Sequence, residues 1–245
     1  NRIDLLIPLI DYDIPILAKN IKKFSSINTK LIVSNFQTVD NCFNKKKNYF
    51  FCLNNNIPVP KTFFKKNNIK KFPIIQKKIF GSGSQDNYEI KQKKELSIYD
   101  SSKFILQEKV IGQEYGMDIL NDFNGNYLHS FIRKKISIKN GETDKAVGIN
   151  SIKLTNLAKT LSKKFKHIGV MDIDFIITKN KKIFFLDFNT RFGGGYPITH
   201  LSGYNYLKSI ILLQLNRKVI FNKKFKINHF SKGINVYKNI TKNKN

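Results

Sequence analysis

Apolar residues in this chain come in short bursts, and the spacing inside each burst separates strands from helices. DLLIPLI (4–10) is continuously apolar, as a buried strand is. DIPILAKNIKKF (13–24) changes to helical spacing, and TKLIVS (29–34) returns to a short strand. Together these read as the tail of an α/β unit too small to be a whole domain. NKKKNYFFCLNNNIPVPKTFF (44–64) predicts a helix with Tyr49, Phe50 and Leu53 on one face. Pro58 and Pro60 forbid its continuation.

FPIIQKKI (72–79), KFILQEKVIG (103–112), EYGMDIL (114–120) and YLHSFIRKKI (127–136) are predicted strands; GSGS (81–84) is a loop and DFNG (122–125) a turn. SIKLTNLAKTLSKKF (151–165) predicts a helix with Ile152, Leu157, Leu161 and Phe165 on one side. VMDIDFII (170–177) and KIFFLDF (182–188) are strands joined by a tight TKNK turn, and YNYLKSIILLQL (204–215) is a last helix, buried on a broad face. The order predicts a mixed α+β body with much antiparallel sheet, behind a small α/β segment.

The chain has 245 residues, 41% of them hydrophobic, enough for one large domain or two to three small ones. Its +27 charge is nearly all lysine, since only Arg2, Arg133, Arg191 and Arg217 are arginines. The lysines alternate with Asn along the whole length, which reads as a solvated face. Nucleic-acid binding is the competing reading; it is disfavoured because base and phosphate readers lean on Arg as well as Lys. Cys42 and Cys52 are the only cysteines and stand ten positions apart, so free thiols in a reducing, cytoplasmic setting are expected. No apolar run reaches the roughly 18 residues of a membrane span. The sequence opens inside an apparent strand, so a missing or processed start is expected.

The chemistry concentrates in the hairpin. Side chains alternate along a strand. Asp172 and Asp174 therefore share one face, and Asp187 and Asn189 share a face of the next strand. Folding about TKNK places Asp187 close to Asp172 and diagonal to Asp174. Such like charges need neutralising. Oxygen ligands without Cys or His suit Mg²⁺, with Arg191 at the rim offering a fork for phosphate oxygens. A solvated acidic face with Arg191 as counterion is the plainer alternative. The glycines at 193–195 would let the chain turn sharply beside the site. Gly81, Ser82, Gly83 and Ser84 follow a strand carrying Lys77; they can cradle phosphate through backbone N–H groups or be a simple flexible turn. Glu108 and Glu114 flank Gly112, and Arg133, Lys135, Glu142 and Lys145 can line the same cleft or be ordinary surface charges.

Taken together, these segments resemble the ATP-grasp superfamily, specifically its branch related to the carbamoyl-phosphate synthase large subunit, from residue 1 to about 210. The resemblance implies an α+β ATP-grasp fold. Residues 1–40 would be a partial preceding α/β domain, 41–104 a lid with the glycine-rich loop, and 105–245 the larger half with the metal hairpin. Lys45 would be the first phosphate-contacting lysine, although an Asp more often precedes it than Asn44. Lys77 would be the second, with Lys78 replacing the usual Pro. Glu108, Lys109 and Val110 would line adenine and Glu114 would meet ribose. Asp174, Asp187 and Asn189 would hold two Mg²⁺ ions. Arg133 would point toward the acceptor substrate and phosphates, and Arg191 would face the transferred phosphoryl group. Asp187 stands where relatives usually carry Glu, one methylene longer.

The implied activity is an ATP-dependent carboxylate–amine or carboxylate–thiol ligase with an acyl-phosphate intermediate, releasing ADP and phosphate. Its partners would be a small carboxylate and an amine. No membrane and no nucleic acid is implied, and a homodimer stays open. A degenerate or incomplete relative that binds nucleotide without turnover is the alternative.

Overall fold

The computed structural model describes residues 2–81, 87–139, 141–221, 229–232 and 237–240. In chain order the elements are β1 (Leu5–Leu6), α1 (Asp13–Lys19), α2 (Ile21–Ser26), β2 (Lys30–Leu31), α3 (Phe36–Phe43), α4 (Lys45–Asn54), β3 (Thr62–Phe63), β4 (Ile74–Lys78), β5 (Tyr88–Ile90) and β6 (Phe104–Glu108). They continue with β7 (Gln113–Asn121), β8 (Tyr127–Lys139), β9 (Glu142–Ile149), α5 (Ile152–Phe165), β10 (Gly169–Ile177), β11 (Ile183–Asn189), α6 (Tyr196–Leu201), α7 (Tyr206–Gln214), β12 (His229–Lys232) and β13 (Tyr237–Ile240). The fold is α+β, as the periodicity predicts. Among the described residues, no helix is long and apolar enough to cross a membrane.

Two antiparallel sheets carry the architecture. The larger has seven strands in the order β11-β10-β7-β8-β9-β12-β13, and the smaller has four in the order β3-β6-β4-β5. Alternation divides the large sheet into two chemically different faces. Met117, Ile119, Ile132, Met171, Ile173 and Phe175 point to one side and pack with Leu154, Ala158, Leu161 and Phe165 of α5. On the other side, Leu120, Phe131 and Val170 pack with Ile198, Tyr206 and Ile210 of α6 and α7. Further along that second face the residues become charged, and the site lies there. The small sheet has its own core of Ile74, Ile90, Leu96 and Leu106.

The N-terminal segment is less regular than its apolar run predicts. Only Leu5 and Leu6 pair, in parallel, with Lys30 and Leu31. Pro8 brings no N–H to a ladder, and Leu9 and Ile10 leave the sheet exposed. The predicted helix over 13–24 divides at Asn20 into α1 and α2. Ile14, Ala18, Leu31, Val33 and Val39 close a small core around these elements.

Three helix faces differ from the sequence reading. In α5 the inward stripe is Leu154, Ala158, Leu161 and Phe165, a regular i, i+4, i+7, i+11 series. Ile152 lies off that stripe, at the first turn, and is 80% exposed. In α4 only Cys52 is buried; Phe50 and Leu53 are exposed, and Phe50 stacks on Phe64. In α7 the buried residues are Tyr206, Ser209 and Ile210, while Leu207 and Ile211, and Leu215 just past its end, are exposed. Both cysteines are free and buried, on α3 and α4.

Candidate active site

The hairpin forms as the sequence predicts, but in a different register. Asp174 pairs directly with Asp187, and Asp172 with Asn189. Asp187 is therefore opposite Asp174 rather than Asp172. A bulge makes part of the difference: Phe175 pairs with Phe185 while Asp174 pairs with Asp187, so Leu186 is the extra residue and Asp187 moves from opposite Ile173 to opposite Asp174. Phe185 and Phe188, three apart, would point to opposite faces of a regular strand. The bulge lets both enter the core, 1% and 2% exposed, and turns Asp187 and Asn189 to the other face.

Across the sheet, one rung then reads Arg133, Gly116, Asp174, Asp187 on β8, β7, β10 and β11. The carboxylates on this face are each met by cations. Lys45, the first residue of α4, donates to Asp187 Oδ1, and Lys77 Nζ of β4 stands 3.9 Å from Asp187 Oδ2. These two lysines carry the small-sheet side of the molecule onto the large sheet. Asn44 caps α4 by accepting from the N–H groups of Lys46 and Lys47, a task an Asp does equally well. Lys135 of β8 lies 2.7 Å from Asp174 and 3.8 Å from Glu114.

Deeper in the floor, Arg133 is fully buried between two acids. Its Nη1 donates to Asp118 at 2.7 Å and its Nη2 to Asp172 at 2.8 Å. Thr199 of α6 also donates to Asp118. Arg191 donates through Nε and Nη2 to both carboxylate oxygens of Asp11, at 2.7 and 2.6 Å, and its Nη1 lies 4.0 Å from Asp172. The sequence reading singles out neither Asp11 nor Asp118. Asp11 sat in a segment read as a remnant of another unit, and Asp118 in an ordinary strand. Their partners are 180 and 15 positions away, beyond any local pattern.

Burial raises the carboxyls of Asp174 and Asp172 above the usual range, opposed by Lys135 and Arg133 respectively. Burial also works to raise Asp187, but Lys45 and Lys77 outweigh it and hold that group below the usual range. Desolvation pulls the Lys77 ammonium below its ordinary value, with Asp187 opposing. The site is thus a balanced set of buried charges, costly to assemble unless mutually satisfied.

These groups line a cleft of about 400 Å³ that also takes in Leu9, Ile10, Tyr12, Lys78, Gly81, Thr143 and Gly194. Asp174, Asp187, Asn189, Arg133, Arg191 and Lys45 all reach it. Lys77 lines the adjoining crevice between the small sheet and β11, with Ile105, Gln107 and Phe185. Glu108 ends β6, Lys109 and Val110 follow it, and none of the three borders either space; Lys109 pairs with Glu89 of β5 instead. Ser82, Gly83 and Ser84 lie outside the described residues, as does the side chain of Glu142.

The donor set fits a hard cation. Asp174, Asp187 and Asn189 offer oxygen only, on one face, and ammonium groups now neutralise both acids. Among the described residues, no group of three or more His, Cys, Asp or Glu is placed to hold a metal alone. A cation here would complete its shell with water and substrate phosphate, as Mg²⁺ commonly does.

A two-sheet α+β fold with lysines of one sheet side facing carboxylates of the other defines a nucleotide-clasping class of protein. A family model described as the ATP-grasp domain matches residues 42–195, more than half of the chain. The chain belongs to the ATP-grasp family. Its fold is similar to that of biotin carboxylase from Campylobacter jejuni, with a TM-score of 0.74 and 15% identity over 93% of this chain and 58% of that one. It is also similar to N5-carboxyaminoimidazole ribonucleotide synthetase from Thermotoga maritima (0.72, 16% identity, 93% and 62%) and to L-amino acid ligase from Bacillus licheniformis (0.69, 18% identity, 93% and 60%). The chain spans less than two thirds of the length of each of these three proteins. No curated protein sequence matches it.

Proposed function

We propose that this chain is an ATP-dependent ligase, of the branch related to the carbamoyl-phosphate synthase large subunit, that joins a carboxylate to an amine or a thiol. Residues 1–40 are the end of a preceding domain in this reading, 41–104 the lid and 105–245 the larger half. The observation that carries it is the convergence of Lys45 and Lys77 on Asp187, directly opposite Asp174, where the cleft meets the adjoining crevice.

In this mechanism the two lysines exchange Asp187 for phosphate oxygens of ATP, while Glu108, Lys109 and Val110 border adenine and Glu114 the ribose. Asp174, Asp187 and Asn189 would hold two Mg²⁺ ions, which when bound neutralise phosphate charge. Gly81, Ser82, Gly83 and Ser84 close over the phosphates and exclude water. A carboxylate oxygen of the acceptor attacks the γ-phosphorus as the bond to ADP breaks, giving an acyl phosphate. The amine or thiol then attacks the acyl carbon and phosphate leaves. Arg191 faces the transferred phosphoryl group. Arg133 acts from the floor by holding Asp172 in place. Positioning and charge stabilisation supply the rate.

The test is ADP release with Mg²⁺ and ATP against pooled carboxylates and amines. Turnover is expected to need both substrates and to fall about 100-fold or more in Asp174→Ala/Asp187→Ala. ATP binding without release on any pool identifies a degenerate nucleotide-binding relative. Failure of the folded protein to bind ATP at all sinks the ligase assignment.

A further inference from the structure

The cleft has a charged floor and an apolar rim. The loop between β1 and α1 sets Leu9, Ile10 and Tyr12 along its edge, 62, 59 and 53% exposed. Three large apolar side chains within four positions, at the mouth of a polar site, form the kind of exposed patch that takes a ligand.

The rim is fixed in place. Asp11, in the midst of these residues, is held by the two hydrogen bonds from Arg191. Tyr12 stands edge-on to Phe43 with ring centroids 5.5 Å apart, and Phe43 meets Phe80 at 5.5 Å. Phe192, the residue after Arg191, lines the same cleft. The ion pair that places Arg191 therefore also places the apolar side chains. A ligand in this cleft meets cations and carboxylates together at the floor, Lys45, Lys135 and Arg191 among them, and hydrocarbon at the rim.

We propose that the carboxylate substrate is amphipathic. Its carboxylate points to the floor, and an aromatic or branched-alkyl body packs on Leu9, Ile10, Tyr12 and Phe192. This deepens the ligase reading and rests on it for the word substrate. Small dicarboxylates, which would put a second charge against the rim, are the class it excludes.

The test is calorimetric titration of the full chain, without nucleotide, with 3-phenylpropionate and with succinate. 3-Phenylpropionate is expected to bind at least about tenfold more tightly, and Leu9→Ser/Tyr12→Ser to bring the two acids within about threefold of each other. Both substituted residues are exposed, so the melting midpoint should stay put; if the double variant fails to fold, Tyr12→Ser alone takes its place. The proposal is overturned if succinate binds as well or better, if the preference survives the substitutions, or if neither acid binds at millimolar concentration. Because no ATP is present, a protein that fails to bind or hydrolyse ATP would overturn the ligase assignment and leave this titration readable.

Discussion

Two of the three glycines after Arg191 are there for room. A Cβ on Gly193 would lie 2.2 Å from Asp172 Cγ, and one on Gly195 would lie 2.4 Å from Arg133 Nε. The chain does turn sharply here, with the Tyr196 N–H bonded to the Gly193 carbonyl at 3.0 Å, but neither glycine has a positive φ, so room rather than conformational freedom requires them. Gly116 serves Arg133 similarly from β7, its Cβ position 2.7 Å from Nε. Gly195→Ala should cost about 1–3 kcal/mol, through displacement of a buried guanidinium. Urea unfolding measures this, and an unshifted midpoint would refute it. The acids and Arg191 were legible in the sequence because strand alternation and adjacency announce them. The buried Asp118–Arg133–Asp172 set was not, because it is assembled by neighbouring strands and no single segment contains it.

At the scale of elements, periodicity identified β4, β6, β7, β8, β10, β11 and the long helix, but it missed β9, and register escaped it. FFLDF carries the clue: phenylalanines at 185 and 188 cannot both enter one core without an extra residue between paired positions. Deleting Leu186 would leave Phe185, Asp187 and Phe188 in plain alternation, with both rings toward the core and Asp187 still opposite Asp174. We expect the deletion variant to keep nucleotide binding and to melt near the parent. Loss of either, by nucleotide titration and circular dichroism, would mean that the bulge itself is needed to set the site. Faces of α4, α5 and α7 were misjudged for a related reason. Apolar residues outnumber the places each helix can bury, and tertiary contacts decide which are used.

For the whole molecule, the two-sheet α+β architecture was legible, whereas the closure of the N-terminal segment over the cleft was not. Global stability should depend on two imidazoles, that of His167, which is buried, and that of His129, which is part-buried. Burial pushes His167 and His129 down to about 4. His167 sits among Asn121 and the carbonyl of Ile119, and His129 meets the Tyr206 hydroxyl at 2.8 Å. The unfolded chain protonates its histidines near the ordinary value of about 6.5. Between there and 4 the unfolded state binds protons that the folded state refuses, so stability falls as pH drops through this window. Asp172 and Asp174, raised by burial, work the other way at the acid end. Comparison with His167→Gln isolates the imidazole: the stability advantage of the parent should shrink between pH 7 and pH 5. An advantage that holds constant would show that His167 titrates alike in both states.

The Asp11–Arg191 pair also bears on how the chain is made. The two residues are 180 positions apart. At roughly 5–20 residues per second, a ribosome takes on the order of ten to forty seconds to reach the second after making the first. Throughout that interval the loop before α1 lacks the Arg191 guanidinium that anchors it, and Leu9, Ile10 and Tyr12 have no fixed station. The small sheet closes from segments made close together, but the cleft must wait for β11 and the residues just after it. Synthesis thus makes the edge formed by Leu9, Ile10 and Tyr12 well before the arginine that holds it in place.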